Sequence, residues 1–232
     1  MKALANAIRW DFVREARYNI IGIYGIITVL YLVLLLAIPM QPAAKDTLLI
    51  FLIFNDPVVL GFLFVGSLTL FERSDRTFFA LAITPLEPAA YVWAKALTLT
   101  AIALVCSLAM AFEAHGWPSQ VGYLLIGVAL SSIAFTFLGY YAVAYCRSFN
   151  EYILRMAVLL MPVGLPFLNF FGWMDSFLLY LIPSQATLFL LEAAFYPVAT
   201  WKIVYAVIYL IVFLLICFRL ALIGFQVQVR NS

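Results

Sequence analysis

Residues 72–95 read ERSDRTFFALAITPLEPAAYVWAK, the longest polar interruption in a chain that is otherwise apolar from end to end. Glu72, Arg73, Asp75 and Arg76 place four charges in five residues directly behind the apolar run Pro57 to Phe71. Hydrocarbon does not accept such a group, so the chain must leave the bilayer here. Thr77 to Ile83 then reads as one or two helical turns, with Phe78, Leu81 and Ala82 at i, i+3 and i+4 on one face. Pro85 disfavours helical backbone at Thr84, and Pro88 is suited to open the next helix from its first position. The spacing predicts a short helix held in a loop, residues 72–88, between two spans.

Outward from this loop the composition sets the class. Apolar residues make up 67% of the 232 and charged residues 10%, against roughly half and about 25% in globular domains. At about 20 residues per crossing there is room for six helices and for no soluble domain of useful size. An energy source would therefore lie on another chain. The formal charge of +2 is too small to suggest a nucleic-acid partner. Cys106, Cys146 and Cys217 are far apart within apolar runs and read as packed thiols.

The loop's pattern resembles a known family. Glu72, Thr77, Leu81, Thr84, Pro85, Leu86, Tyr91 and Lys95 match the permeases of type-2 (ABC-2-like) ABC exporters. Asn55-Asp56-Pro57 upstream and Tyr180-Leu-Ile-Pro183-Ser-Gln185 downstream are similar to members labelled fluoroquinolone export permeases. About two thirds of the chain is covered. Arg76 departs from the pattern, since many members place Gly before the Thr. The resemblance implies a membrane subunit driven by a separate ABC ATPase, which would bind the ATP and dock on Glu72, Thr77, Phe78, Leu81, Thr84, Pro85 and Leu86. It also implies pairing of two six-span subunits, as a homodimer or with a sister permease, so that closure of the ATPases opens a shared pathway.

The fold expected is all-α and integral to the membrane. Residues 1–19 form a cytoplasmic interfacial helix with Met1, Leu4, Ala5, Ile8, Phe12 and Ala16 on one face and Lys2, Asn6, Arg9 and Arg17 largely opposite. Residues 20–232 form the permease domain. Span one is Ile20 to Ile38, and without a cleavage site behind it is expected to stay as an anchor. Span two runs from Thr47 to Phe71 through Asn55-Asp56-Pro57. It is either one kinked helix, the favoured geometry, or a short piece followed by a second helix that Asp56 caps and Pro57 opens. Asp56 is the one carboxylate embedded in an apolar run. A structural role is favoured for it, with Asn55 and Asp56 kept as candidates for the substrate path. Span three is Pro88 to Phe112. Span four, Val121 to Cys146, carries Gly122, Gly127, Ser131, Ser132 and Gly139, small residues that let helices approach closely. Span five begins near Tyr152 and is broken by Pro162, Gly164 and Pro166. Residues 162–199 should form short re-entrant outer helices, as in the resembling permeases, before span six, Thr200 to Leu222.

Eleven basic residues fall on or near one side of this layout, with Lys45 and Lys202 on the other, so both termini are expected in the cytoplasm of a bacterial or archaeal plasma membrane. Enzymatic chemistry has little to work with. A single histidine, His115, cannot build a His-ligated metal pair, and no cofactor or metal site is expected. Gly61 and Gly66 have phosphate-loop spacing, but Ser67-Leu68 stands where Lys-Ser/Thr is required. Two other functions compete with export: an assembly factor that recruits an ATPase without moving anything, and a small ion-coupled carrier. A lone embedded carboxylate argues against the carrier. The 21 Phe, 13 Tyr and 5 Trp suit a hydrophobic or amphipathic cargo, drug-like or lipid-like, and equally suit a membrane bundle.

Overall fold

The computed structural model of the chain describes residues 2–39, 41–75, 87–116, 118 and 120–230. Thr77, Phe78, Leu81, Thr84, Pro85 and Leu86 lie outside them. The described residues are helical throughout, without a strand: α1 (Lys2–Arg17), α2 (Ile20–Ala37), α3 (Pro42–Val58), a π-helical segment (Val59–Phe64), α4 (Val65–Ser74), α5 (Pro88–His115), α6 (Val121–Ala144), α7 (Phe149–Gly164), α8 (Phe167–Phe170), a 3-10 turn (Phe177–Leu181), α9 (Pro183–Phe195) and α10 (Thr200–Arg230). Asn19, in the left-handed conformation at φ 58°, separates α1 from α2, as the short polar side chain of Asn tolerates. Pro42, Pro88 and Pro183 each open a helix at the position where the missing N–H costs nothing.

Among the described residues, five helices are long and apolar enough to cross a bilayer: Ile20–Ala37, Pro42–Ser74, Pro88–His115, Val121–Ala144 and Thr200–Val229. Six were expected. The span placed from Tyr152 is α7, of 16 residues with Pro162 inside it, and at 1.5 Å per residue it reaches about 24 Å. Burial orders the bundle. In an 18-residue apolar stretch of each helix, 72% of the residues are buried in Pro42–Ser74, whereas 22% are in Ile20–Ala37 and 28% in Thr200–Val229. The outer faces of those two helices, with Ile26, Val29, Leu30 and Val33 on α2 and Val204, Ile208, Val212 and Leu215 on α10, are exposed and apolar, a surface suited to lipid. α6 sits in the middle, packed against α10, α5, α9, α3, the π segment and α4.

Span two is one continuous helix in which the π segment follows Pro57. Proline cannot donate to the ladder, and the register changes just beyond it: the Val59 amide reaches both Asn55 O and Asp56 O, and the wider turns follow over Val59–Phe64. Asp56 is thus mid-helix and caps nothing, because the helix never starts anew there. Its carboxylate bonds to neighbouring helices instead, and the Asn55 side chain folds back on Phe51 O at 2.7 Å.

Glycines bring backbones together here. A Cβ on Gly139 of α6 would lie 2.5 Å from Gly61 O, and one on Gly61 would lie 2.8 Å from Thr136 N. A Cβ on Gly66 would meet the Tyr152 ring at 2.1 Å, and this close approach lets the Tyr152 hydroxyl donate to Phe62 O, a carbonyl within the π segment. The two glycines with phosphate-loop spacing are therefore packing positions.

The predicted break after α7 is present, but α9 is a core helix. Apart from Pro183 and the half-buried Glu192, every residue of it from Ser184 to Phe195 is buried, between α6 and α10. Ser184 Oγ donates to Val163 O at 2.7 Å and ties its start to the end of α7. Its other end meets the tops of α3, α5 and α6: Gln120 N donates to Ala194 O at 3.3 Å, and Asp46 accepts from the Tyr196 hydroxyl at 2.8 Å and pairs with His115 Nδ1 at 2.7 Å. This end carries Lys45 and Lys202; the opposite end carries Arg14, Arg73, Lys95 and Arg147.

Candidate functional site

The side chains at the base of the loop point in three directions, and each is engaged. Glu72, the last acid of α4, is fully buried. Its Oε1 accepts from Arg14 Nη1 of α1 at 2.6 Å and from Lys95 Nζ of α5 at 2.6 Å, and its Oε2 accepts from the Tyr91 hydroxyl. Arg73 turns the other way. Its guanidinium donates to Cys146 O at 2.7 Å and Val143 O at 3.2 Å, closing the end of α6, where orphan carbonyls and the helix dipole favour a cation. Asp75 accepts from the Tyr18 hydroxyl at 2.6 Å. The loop thus leaves the bundle from a base fixed to α1, α5 and α6.

Around Glu72 the cluster extends into α1. Asp11 and Glu15 lie one turn apart on the same face, and both are buried. Asp11 Oδ1 is paired with Arg14 and stands 3.9 Å from Lys95 Nζ; Glu15 Oε1 accepts from Thr98 Oγ1 at 2.6 Å. These acids share the side of α1 on which the expected apolar residues Leu4, Ile8 and Phe12 are half-buried, opposite the exposed Asn6, Arg9 and Arg17. The helix does lie against the bundle, but the seam it buries on α5 is acidic, while Trp10 and Val13 are exposed. Lys95 and Arg14 draw Asp11 and Glu72 inward, because a buried acid keeps its charge only where it is paired. Three carboxyl groups face two cations, and Asp11 Oδ2 and Glu15 Oε2 have no hydrogen-bond partner among the described residues. Burial correspondingly pushes Glu15 up to about 7, against the smaller pull of the Thr98 hydrogen bond.

A pH dependence follows. In the unfolded chain Glu15 ionises near 4.5 and in the folded chain near 7; its raised value means that the folded state binds the proton more tightly. Its contribution to stability is complete below the unfolded value and is lost as pH rises through about 7. The thermal midpoint of the purified chain in detergent should fall across that window. Glu15→Gln, neutral at every pH, should flatten the profile, and an unchanged slope would exclude Glu15 as its source.

The sequence singled out Glu72 by the charge run and, with Tyr91 and Lys95, through the family resemblance, and the structure brings Tyr91 and Lys95 onto Glu72. It adds Asp11, Arg14, Glu15, Thr98 and Tyr18. The available signal was the i, i+4 pair Asp11 and Glu15 on a helix otherwise read as apolar on one face. The other candidates, Asn55 and Asp56, lie apart from this cluster, midway along span two. Asp56 is buried, with its carboxylate against Tyr24 and Ser107.

Fold and site together define a multi-pass helical membrane protein with its charge gathered at the helix ends. The chain belongs to the fluoroquinolones export permease protein family, whose sequence profile matches residues 2–231. It is 31% identical over 220 residues to a fluoroquinolones export permease protein of Mycobacterium tuberculosis (strain CDC 1551 / Oshkosh), an alignment covering 91% of this chain and 90% of the relative. The same figures hold for the fluoroquinolones export permease protein of strain ATCC 25618 / H37Rv. No solved structure matches. Membership makes this chain a transmembrane permease, a transport protein of the export class.

Proposed function

We propose that the chain is the membrane-spanning subunit of an ATP-driven exporter, that a separate ATPase subunit docks on residues 76–86, and that a second permease, identical or sister, completes the pathway. The observation that carries this reading is the threefold anchoring of the loop base by Glu72, Arg73 and Asp75. A loop that receives force from a partner must be stiffly joined to the helices it moves, and this one is joined to α1, α5 and α6 at once. Glu72 serves docking from inside, by holding the loop's first residues, while Thr77, Phe78, Leu81, Thr84, Pro85 and Leu86 supply the contact. In this arrangement α7 and the turns after it complete the sixth crossing, and the charged end with both termini faces the cytoplasm of the plasma membrane. The cargo is an amphipathic aromatic compound, for which the names of the mycobacterial relatives supply the class.

The helix expected from the sequence over Thr77 to Ile83 would be too short to hold its order alone in water, so the docked partner would have to supply it. Fully burying Phe78 and Leu81 contributes about 1.5–3 kcal/mol each before ordering costs. Phe78→Ala with Leu81→Ala should leave the chain inserted and folded, yet lower co-purification of the ATPase about a hundredfold and abolish transport. Retention of both ATPase and transport in the double variant would refute docking on this loop.

A further inference from the structure

Asp56 stands in the middle of the most buried span and is 1% exposed. Tyr24 of α2 donates its hydroxyl to Oδ1 at 2.6 Å, and Ser107 Oγ of α5 lies 3.1 Å from Oδ2. The other titratable groups facing it are Tyr31 of α2 and Cys106 of α5. All of these are neutral hydroxyls or thiols. No Lys, Arg or His among the described residues bonds to it, whereas Glu72 draws Arg14 and Lys95 and Asp46 draws His115. A carboxylate buried without a counter-charge is prevented from ionising by the cost of its desolvation, and takes a proton instead.

We propose that Asp56 is a proton-binding site, carried as the neutral acid in this closed packing of α2, α3 and α5. The two contacts suit that form. Tyr24 donates to the carbonyl oxygen Oδ1, and Ser107 Oγ, which donates to the ionised Oδ2 at 3.1 Å, would rotate its hydroxyl to accept the acid's own proton. Discharge leaves the carboxylate and a free proton, and it requires water to reach the site when α2 or α5 moves away. The π segment beginning three residues later is the element to yield: Phe64 within it stands edge-on to Tyr24, with ring centroids 6.0 Å apart, and such segments recur at functional sites within helices. In a working permease, proton release at Asp56 then accompanies opening. That consequence rests on the export reading, whereas the proton site itself does not.

The test is infrared spectroscopy of the purified full-length chain in detergent, held in D2O near pD 6, about two units above the ordinary aspartic range. A carboxylic-acid C=O band should be present in the unsubstituted chain and missing from Asp56→Asn, while the separate Glu15 band persists in both. Superimposable spectra from a folded Asp56→Asn chain would overturn the proposal. If Asp56→Asn lacks a melting transition, Tyr24→Phe decides. It keeps the carboxyl and removes the hydrogen bond to Oδ1, so the acid band must shift in frequency, and an unshifted band would overturn the proposal as well.

Discussion

Lys95→Met should be the most damaging single substitution outside the loop. The ammonium is 1% exposed and holds Glu72 at 2.6 Å, with Asp11 at 3.9 Å. Removing it leaves Glu72 dependent on Arg14 and Tyr91 and withdraws one of the two cations that balance three buried acids. Breaking one partner out of a buried pair typically costs about 3–5 kcal/mol, because the other charge stays buried without compensation. The thermal midpoint in detergent should drop accordingly, and α1 should detach, exposing residues 2–17 to protease. The double variant Glu72→Gln with Lys95→Met removes the charge together with its partner and should recover much of the loss. A single variant that melts like the parent chain would mean that the cluster carries no net stability.

The second large effect is expected at the crossing of α6 with the π segment. In Gly139→Ala the new methyl group would lie 2.5 Å from Gly61 O, 2.7 Å from Val65 Cγ1 and 3.1 Å from Phe62 Cα. Two of these three atoms are backbone, so the helices must move apart. Overpacking costs typically about 1–3 kcal/mol, and the upper end applies where no side chain can swing away. Separation would also disturb the Tyr152 hydrogen bond to Phe62 O. Gly122→Ala is the matched control on the same helix. Nothing lies within 4 Å of its Cβ position, and Ala is the better helix former by about 0.5–1 kcal/mol. Thermal unfolding of the two variants side by side should give a fall for the first and no fall for the second. Equal midpoints would show that Gly139 does not meet the Gly61 and Phe62 backbone closely in the folded chain.

The contrast between these two glycines indicates how far the sequence reaches. Small residues at Gly122, Gly127 and Gly139 mark α6 as a helix that others approach closely, and α6 does sit in the middle of the bundle. Which glycine meets which backbone depends on rotation about the helix axis, and hydrophobicity on all sides of α6 leaves that rotation unspecified. The start of α5 at Pro88 was legible because the proline acts locally. Asp56-Pro57 was legible as a disturbance in span two, but its resolution was not. A π segment follows Pro57 within one continuous helix, and the Asp56 carboxyl group is bonded to Tyr24 and Ser107, 32 and 51 residues away.

The charge cluster shows the same limit more sharply. Arg14 finds Glu72 across 58 residues and Thr98 finds Glu15 across 83. Periodicity along α1 reports an amphipathic helix, but it cannot say that two acids lie on the side turned toward a basic residue of α5. Likewise the break at Pro162 and Gly164 announces irregular structure without showing that α9 is buried on nearly every side.

The central proposal is that this chain exports its cargo using ATP hydrolysed by another subunit. Inside-out membrane vesicles prepared from cells co-expressing the chain with a candidate ABC ATPase test this directly, with a fluorescent fluoroquinolone as the probe. Uptake into the vesicles should require ATP, fail with a non-hydrolysable analogue, and disappear in the Phe78→Ala, Leu81→Ala double variant. Uptake that proceeds equally without ATP, or that follows an imposed proton or sodium gradient alone, would contradict it.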